Sequence, residues 1–195
     1  MTPLLLSVAV SSGGALRLWL RAGFGRGIGL WRAAAYAAGW LALAAALLSP
    51  LHWLGERLFT LHMVEHEIVM VISAPLLVLA RPAGAFAWAL PAGLRRPVLQ
   101  VGRVWPLRRG WAFLTVPLVA TLVHGLAIWI WHMPPLFDAT VQHVGIHRLQ
   151  HLSFLLSALL FWWALIRRCG PGPAALHVVV TMMHTGLLTL PGHFD

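Results

Sequence analysis

Residues 59–80 read FTLHMVEHEIVMVISAPLLVLA. Two carboxylates and two histidines sit near one end, and the remainder is apolar up to Arg81. As an α-helix the segment is ~33 Å long, enough to cross the ~30 Å hydrocarbon core of a bilayer. Four further stretches approach this length and apolarity, at residues 33–49, 112–131, 146–166 and 174–190. A weaker one, residues 3–20, contains two glycines and Arg17. It lacks the basic start and small-residue cleavage site of a signal peptide, so it reads as a span. The expected fold is therefore all-α, a polytopic transmembrane helix bundle of about six spans. Residues 1–195 form a single integral membrane domain, with no soluble domain and no internal repeat.

Composition agrees. The 195 residues are 59% hydrophobic and only 10% charged, whereas a soluble domain carries roughly a quarter of its residues as charges. The apolar content excludes disorder, and the single Cys169 excludes a disulfide scaffold. A net charge of +9 would ordinarily suggest nucleic acid, but the basic residues are distributed by position. All 14 are arginine. Arg17, Arg21, Arg26 and Arg32 surround the first connection. Arg81, Arg95, Arg96, Arg103, Arg108 and Arg109 mark the third, and Arg167 and Arg168 the fifth. Only Arg57 and Arg148 fall on the other side. The positive-inside rule places the first, third and fifth connections in the cytoplasm and both termini outside. Trp53, Trp129 and Trp131 then lie near the outer boundary, as an aromatic belt requires. The partner implied by the charge is membrane lipid, with no nucleic acid.

That orientation sorts the 11 histidines. His52, His62, His66, His132, His143, His147, His151, His184 and His193 fall on or near the outer face; His124 is deeper and His177 lies toward the inside. His62 and His66, His143 and His147, and His147 and His151 are each spaced i, i+4, neighbours on one helical face. Glu65 shares the inward face of His62 and His66. Glu67 points elsewhere and calls for its own partner, Arg57 or Arg148.

Neutral imidazole ligates copper, zinc, iron and nickel, and thioether beside imidazole favours Cu(I). Met63, Met133, Met182 and Met183 lie at the same level. A lone membrane histidine is ordinarily an interhelical hydrogen-bonding group, and a methionine ordinarily packs. The pairs His62/His66 and His147/His151, on two helices at one depth, point instead to metal or redox chemistry. Two other readings stay open. Residues 62–66, HMVEH, match the H-x-x-E-H string of zinc peptidases, in which Glu65 would be the base. Histidines paired across facing helices could also ligate a b-type haem for electron transfer.

Four strings together resemble one family: HMVEHEIVMVISAPLLVLARP from residue 62, WIWHMPPLFDAT from 129, HRLQHLSFLLSALLFWW from 147 and MMHTGLL from 182. They look like the polytopic membrane cytochrome c oxidase assembly factors of the CtaG type, in one colinear order over about residues 30–190. The resemblance implies a non-enzymatic protein of the bacterial inner (plasma) membrane, with its histidines toward the periplasmic face. It also implies haem-copper oxidase subunits as partners and copper as the metal handled, as Cu(I) or Cu(II). Carried over position by position, the motif histidines are His62, His66, His132, His147, His151 and His184. Asp138 matches the acidic residue after the WHMPP string, orienting an imidazole or capping a turn. Glu65 stands where the family commonly has glutamine or another residue, which a catalytic glutamate would not permit. Family members generally continue beyond MMHTGLL by at least one more helix; this chain reads on to Asp195.

Overall fold

The computed structural model describes residues 29–49, 58–82, 90–91, 93–94, 100 and 104–188, save the side chains of Phe59 and residues 184–188. Among the described residues there are seven helices and no strand. Helix α1 is Leu30–Leu48. Helix α2 runs continuously as Phe59–Glu67, a π-helical stretch Ile68–Ser73, and Ala74–Ala80. Then follow α3 (Trp105–Leu114), α4 (Pro117–Trp131), α5 (Pro134–Gln142), α6 (Val144–Arg168) and α7 (Pro171–Leu188).

Where a helix start is marked, proline marks it. Prolines occupy the first turn of α3, α4 and α5, where the missing N–H would have had no intrahelical partner. No side-chain cap supplements them there, in keeping with a chain that has only five acidic residues.

Pro75 explains the π-helical stretch. Ala74 N bonds Val69 O, five residues back. In that register the donor due to Met70 O would be residue 75, a proline with no N–H. The indole Nε1–H of Trp162 on α6 donates to Met70 O instead, at 2.9 Å. A membrane interior tolerates such a break where the freed carbonyl finds another donor, here one on a neighbouring helix. The sequence therefore builds the defect and its remedy on two different helices.

Helix α6 is central, with α2 and α4 packed on it; α1 lies against α2, and α7 against α4. The α1–α2 contact is close because Gly39 faces Leu77: a Cβ at Gly39 would lie 3.0 Å from Leu77 Cδ2 and 3.3 Å from Leu76 Cβ. Ser73 Oγ donates to Gly39 O across the same contact at 2.8 Å, the small-residue and hydroxyl pairing common between membrane helices. Met63, Met70, Ala74, Ile128, Phe154 and Ala158 form the main core, and Leu43, Ala46 and Val69 a second. Leucines such as Leu41, Leu118, Leu122, Leu126 and Leu156 remain exposed on the periphery, where lipid is their solvent.

Among the described residues, three helices, Leu30–Leu48, Thr60–Ala80 and Val144–Arg168, are long and apolar enough to cross a membrane; a bent pair makes up to four. The span expected over 112–131 is that bent pair: α3 and α4 meet at 73°. Pro117 pushes Val116 out of the helical region, to ψ 127°, and Thr115 Oγ1 turns back to Trp111 O at 2.7 Å. The uninterrupted helix is thus Pro117–Trp131, 15 residues. The described apolar part of α7, Pro171–Met183, is also shorter than a full crossing. The expected span 3–20 and both termini lie outside the described residues.

The arginines at the helix ends gather as their spacing suggests. Arg81, just past α2, is held below its ordinary pKa by desolvation and then by repulsion from Arg167 and Arg32. These three begin or end α1, α2 and α6 at one end of the bundle. His62 and His147 lie near the other.

Candidate functional site

Helices α2 and α6 run parallel at the histidine end, so their i, i+4 pairs meet rung by rung. His62 and His147 ring centroids are 5.4 Å apart, and His66 and His151 4.9 Å. Within α2, His62 and His66 are 4.2 Å apart. The third approach is from α4, whose C-cap His132 lies 6.0 Å from His66. The Met-Pro-Pro string that follows forces this placement, because Pro134 and Pro135 end one helix and start another. His66 is 1% exposed and Glu65 0%; His62, His132 and His151 are also buried.

The hydrogen bonds fix part of the proton arrangement. His132 Nδ1 lies 2.7 Å from Ile128 O. A carbonyl only accepts, so Nδ1 carries the hydrogen and neutral His132 has its lone pair on Nε2. Burial lowers the His132 pKa, with the Ile128 bond opposing. His147 Nε2 and His151 Nε2 are 2.8 Å apart, and His151 Nε2 is 3.3 Å from Glu65 Oε1. His151 Nε2 thus lies between a carboxylate oxygen and a second imidazole nitrogen. By contrast, neither ring nitrogen of His66, nor Nε2 of His132, has a hydrogen-bond partner among the described residues.

The structure thus brings together His62, Glu65, His66, His132, His147 and His151. His184 lies on α7, but its side chain is outside the described residues, as are His52 and His193. Asp138, read as orienting an imidazole or capping a turn, is exposed on α5. Its neighbour Phe137 packs instead, edge-on to His62 at 5.9 Å and stacked with His132 at 6.4 Å. Phe154 completes the wall, 4.7 Å from His66 and 6.0 Å from His132. Phe154 was legible as the next step of the stripe His147, His151, Phe154 at i, i+4, i+7. Phe137 carried no such signal. Gln150 was also missed; it is 0% exposed, and neither amide atom has a partner among the described residues.

The remaining histidines and thioethers fall elsewhere. His143 is exposed between α5 and α6. His124 contacts Ser157, and His177 contacts Thr121. Met63 is core packing, and Met133 and Met183 are 55% and 62% exposed. Among the described residues, no group of three or more His, Cys, Asp and Glu side chains is set as it stands to hold a metal ion. What the arrangement offers is a buried reserve of imidazole nitrogens with rings in mutual contact.

The pattern of one protein family, described as cytochrome c oxidase caa3 assembly factor (Caa3_CtaG), matches residues 13–194. Relatives include an uncharacterized protein of Mycobacterium bovis and one of Mycobacterium tuberculosis, each 32% identical over 144 residues, 70% of this chain and 22% of the relative. One from Mycobacterium leprae is 30% identical over 148 residues, 74% of this chain and again 22% of the relative. The chain therefore spans about a fifth of the length of these relatives. No solved structure matches it.

Proposed function

The chain belongs to the cytochrome c oxidase caa3 assembly factor family, and on that premise we propose that its buried histidine cluster handles copper during oxidase maturation. The copper is cargo, received at the periplasmic face and passed toward a metal centre of a haem-copper oxidase subunit. The observation that carries this reading is His66: a 1%-exposed imidazole with neither nitrogen used by the protein among the described residues. A buried polar atom without a partner costs about 1–3 kcal/mol. Ionisable groups are kept at membrane depth chiefly where they work. His132 supports the same reading, since its Nδ1 bond to Ile128 O leaves Nε2 as the ligating nitrogen. His62, His66, His132, His147 and His151 would supply the donors, after their rings rotate out of mutual contact.

The role is non-catalytic. A hydrolytic Glu65 would need water, yet it is 0% exposed and engaged with His151. A b-type haem would need a slot between its two histidines. Here the imidazoles touch one another and are walled by Phe137 and Phe154. The periplasmic placement of the cluster is supported by the arginines gathered at the opposite end.

The test is deletion of the gene, followed by assay of oxidase activity and oxidase copper content. Wild-type protein restores both. A His62→Ala, His66→Ala variant present in the membrane at equal level restores neither. Normal oxidase copper in the deletant would overturn the proposal.

A further inference from the structure

Helix α3, WPLRRGWAFL, has no buried residue. Trp105, Leu107, Trp111 and Phe113 are between 47% and 63% exposed, an apolar surface that the bundle leaves uncovered and that calls for an apolar neighbour. Ten residues make a helix of ~15 Å, half of what a bilayer crossing needs. It meets α4 at 73°, and beside a crossing helix that angle sets α3 close to the bilayer plane. Helix α4 ends at His132 among the histidines, so its start, and α3 with it, lies at the arginine end. Ring contacts fix that level: Trp111 lies 5.7 Å from Trp163 near the end of α6, and the Arg167 guanidinium sits over Trp163 at 4.9 Å.

The helix has two sides. Leu107, Trp111 and Leu114 fall within about 60° of one another around its axis, and Arg108, Ala112 and Arg109 occupy a separate arc. The Arg109 guanidinium packs over the Trp105 ring, 3.9 Å from its centroid, so an indole shares the arginine side. Guanidiniums on one side and leucine and indole on the other make a helix suited to lie in a membrane interface, with its apolar side toward the acyl chains and its cations toward the headgroups.

Charge selects the occupant. Residues 81–109 carry Arg81, Arg95, Arg96, Arg103, Arg108 and Arg109 and no acidic residue. Glu65, Glu67 and Asp138, the carboxylates among the described residues, all lie in the histidine half of the bundle. The counter-charge for Arg108 and Arg109 must therefore come from outside these residues, and at an interface it is lipid phosphate, which a guanidinium binds through paired N–H donors. A zwitterionic lipid brings its own cation, so the uncompensated arginines favour an anionic headgroup. We propose that α3 is an interfacial helix that lies in the headgroup layer at the arginine end and binds anionic phospholipid through Arg108 and Arg109, with Leu107, Trp111 and Leu114 sunk into the acyl boundary. It anchors the short helix α4 to that surface. This role uses none of the histidines and stands apart from copper handling.

The test uses the full chain carrying Cys169→Ser, in bilayers of phosphatidylcholine and phosphatidylglycerol. A nitroxide is attached in turn through Leu107→Cys, Ala112→Cys and Leu114→Cys. Dissolved oxygen, which partitions into the acyl region, is expected to reach the labels at 107 and 114 more than the label at 112, and a water-soluble nickel chelate to show the reverse order. Spin-labelled phosphatidylglycerol is expected to contact the protein in preference to spin-labelled phosphatidylcholine. Arg108→Gln, Arg109→Gln, at exposed positions that do not threaten the fold, should lower that preference at low salt by up to about fivefold for each arginine; Arg148→Gln, at the histidine end, should leave it unchanged. Oxygen access that rises steadily from 107 through 112 to 114 would place α3 across the bilayer. Equal nickel access at all three would place it in water, as a surface for a protein partner. Either result would overturn the proposal, as would a lipid preference that the double variant leaves intact or that Arg148→Gln lowers equally.

Discussion

Replacing His66 by phenylalanine separates a residue kept for function from one kept for packing. The phenylalanine ring preserves the edge-on contacts of His66 with His62 at 4.2 Å, Phe154 at 4.7 Å and His151 at 4.9 Å. It removes two buried nitrogens that have no partner among the described residues. At about 1–3 kcal/mol for each such atom, the gain is about 2–6 kcal/mol. The larger ring in a packed bundle offsets this by about 1–3 kcal/mol. The expected outcome is a variant about 2 kcal/mol more stable, a rise in midpoint of about 4–8 °C for a chain of this size. The same variant should fail to support oxidase assembly. Thermal unfolding in detergent, followed by tryptophan fluorescence, reads the first effect, and oxidase copper content in a complemented deletant reads the second. A variant that melts lower than wild type and still assembles a copper-replete oxidase would refute the reasoning, since His66 would then be a structural side chain.

Two further outcomes follow from the same geometry. Trp162→Phe removes the N–H that satisfies Met70 O beside Pro75; unfolding measurements should show a loss of about 1–3 kcal/mol, and an unchanged midpoint would mean that the freed carbonyl is satisfied without Trp162. Glu65→Gln keeps a hydrogen-bonding side chain beside His151 Nε2, now 3.3 Å from Glu65 Oε1. It should retain most oxidase assembly in a complementation assay, whereas abolition with the protein folded and abundant would favour chemistry that requires the carboxylate.

The stretch 59–80 was enough to read a membrane helix, and the spacing of His62, Glu65 and His66 was enough to put them on one face. The same holds for His147 and His151. Periodicity is a property of one helix at a time, so these readings needed no knowledge of neighbours. The break at Pro117 was visible as a residue but not as a 73° bend, because the angle depends on what α3 and α4 pack against. Asp138 shows the opposite limit. A carboxylate near histidines suggests a hydrogen bond, yet the rotation of α5 exposes it and turns Phe137 to the rings.

Read along the chain alone, the residues specify a membrane helical bundle, the end that carries the arginines, and the histidines that share a helical face. Hydrophobicity, charge position and helical period are all local quantities written along the chain. That α2 and α6 run parallel, so that their pairs join with His132 in one cluster, emerges only from the packing of one helix on another. The same holds for Trp162, which answers the defect at Pro75 from another helix, and for His124 on α4, which meets Ser157 on α6. Those outcomes depend on the relative rotation and depth of separate helices, set by contacts such as Gly39 against Leu77 that no single helix encodes.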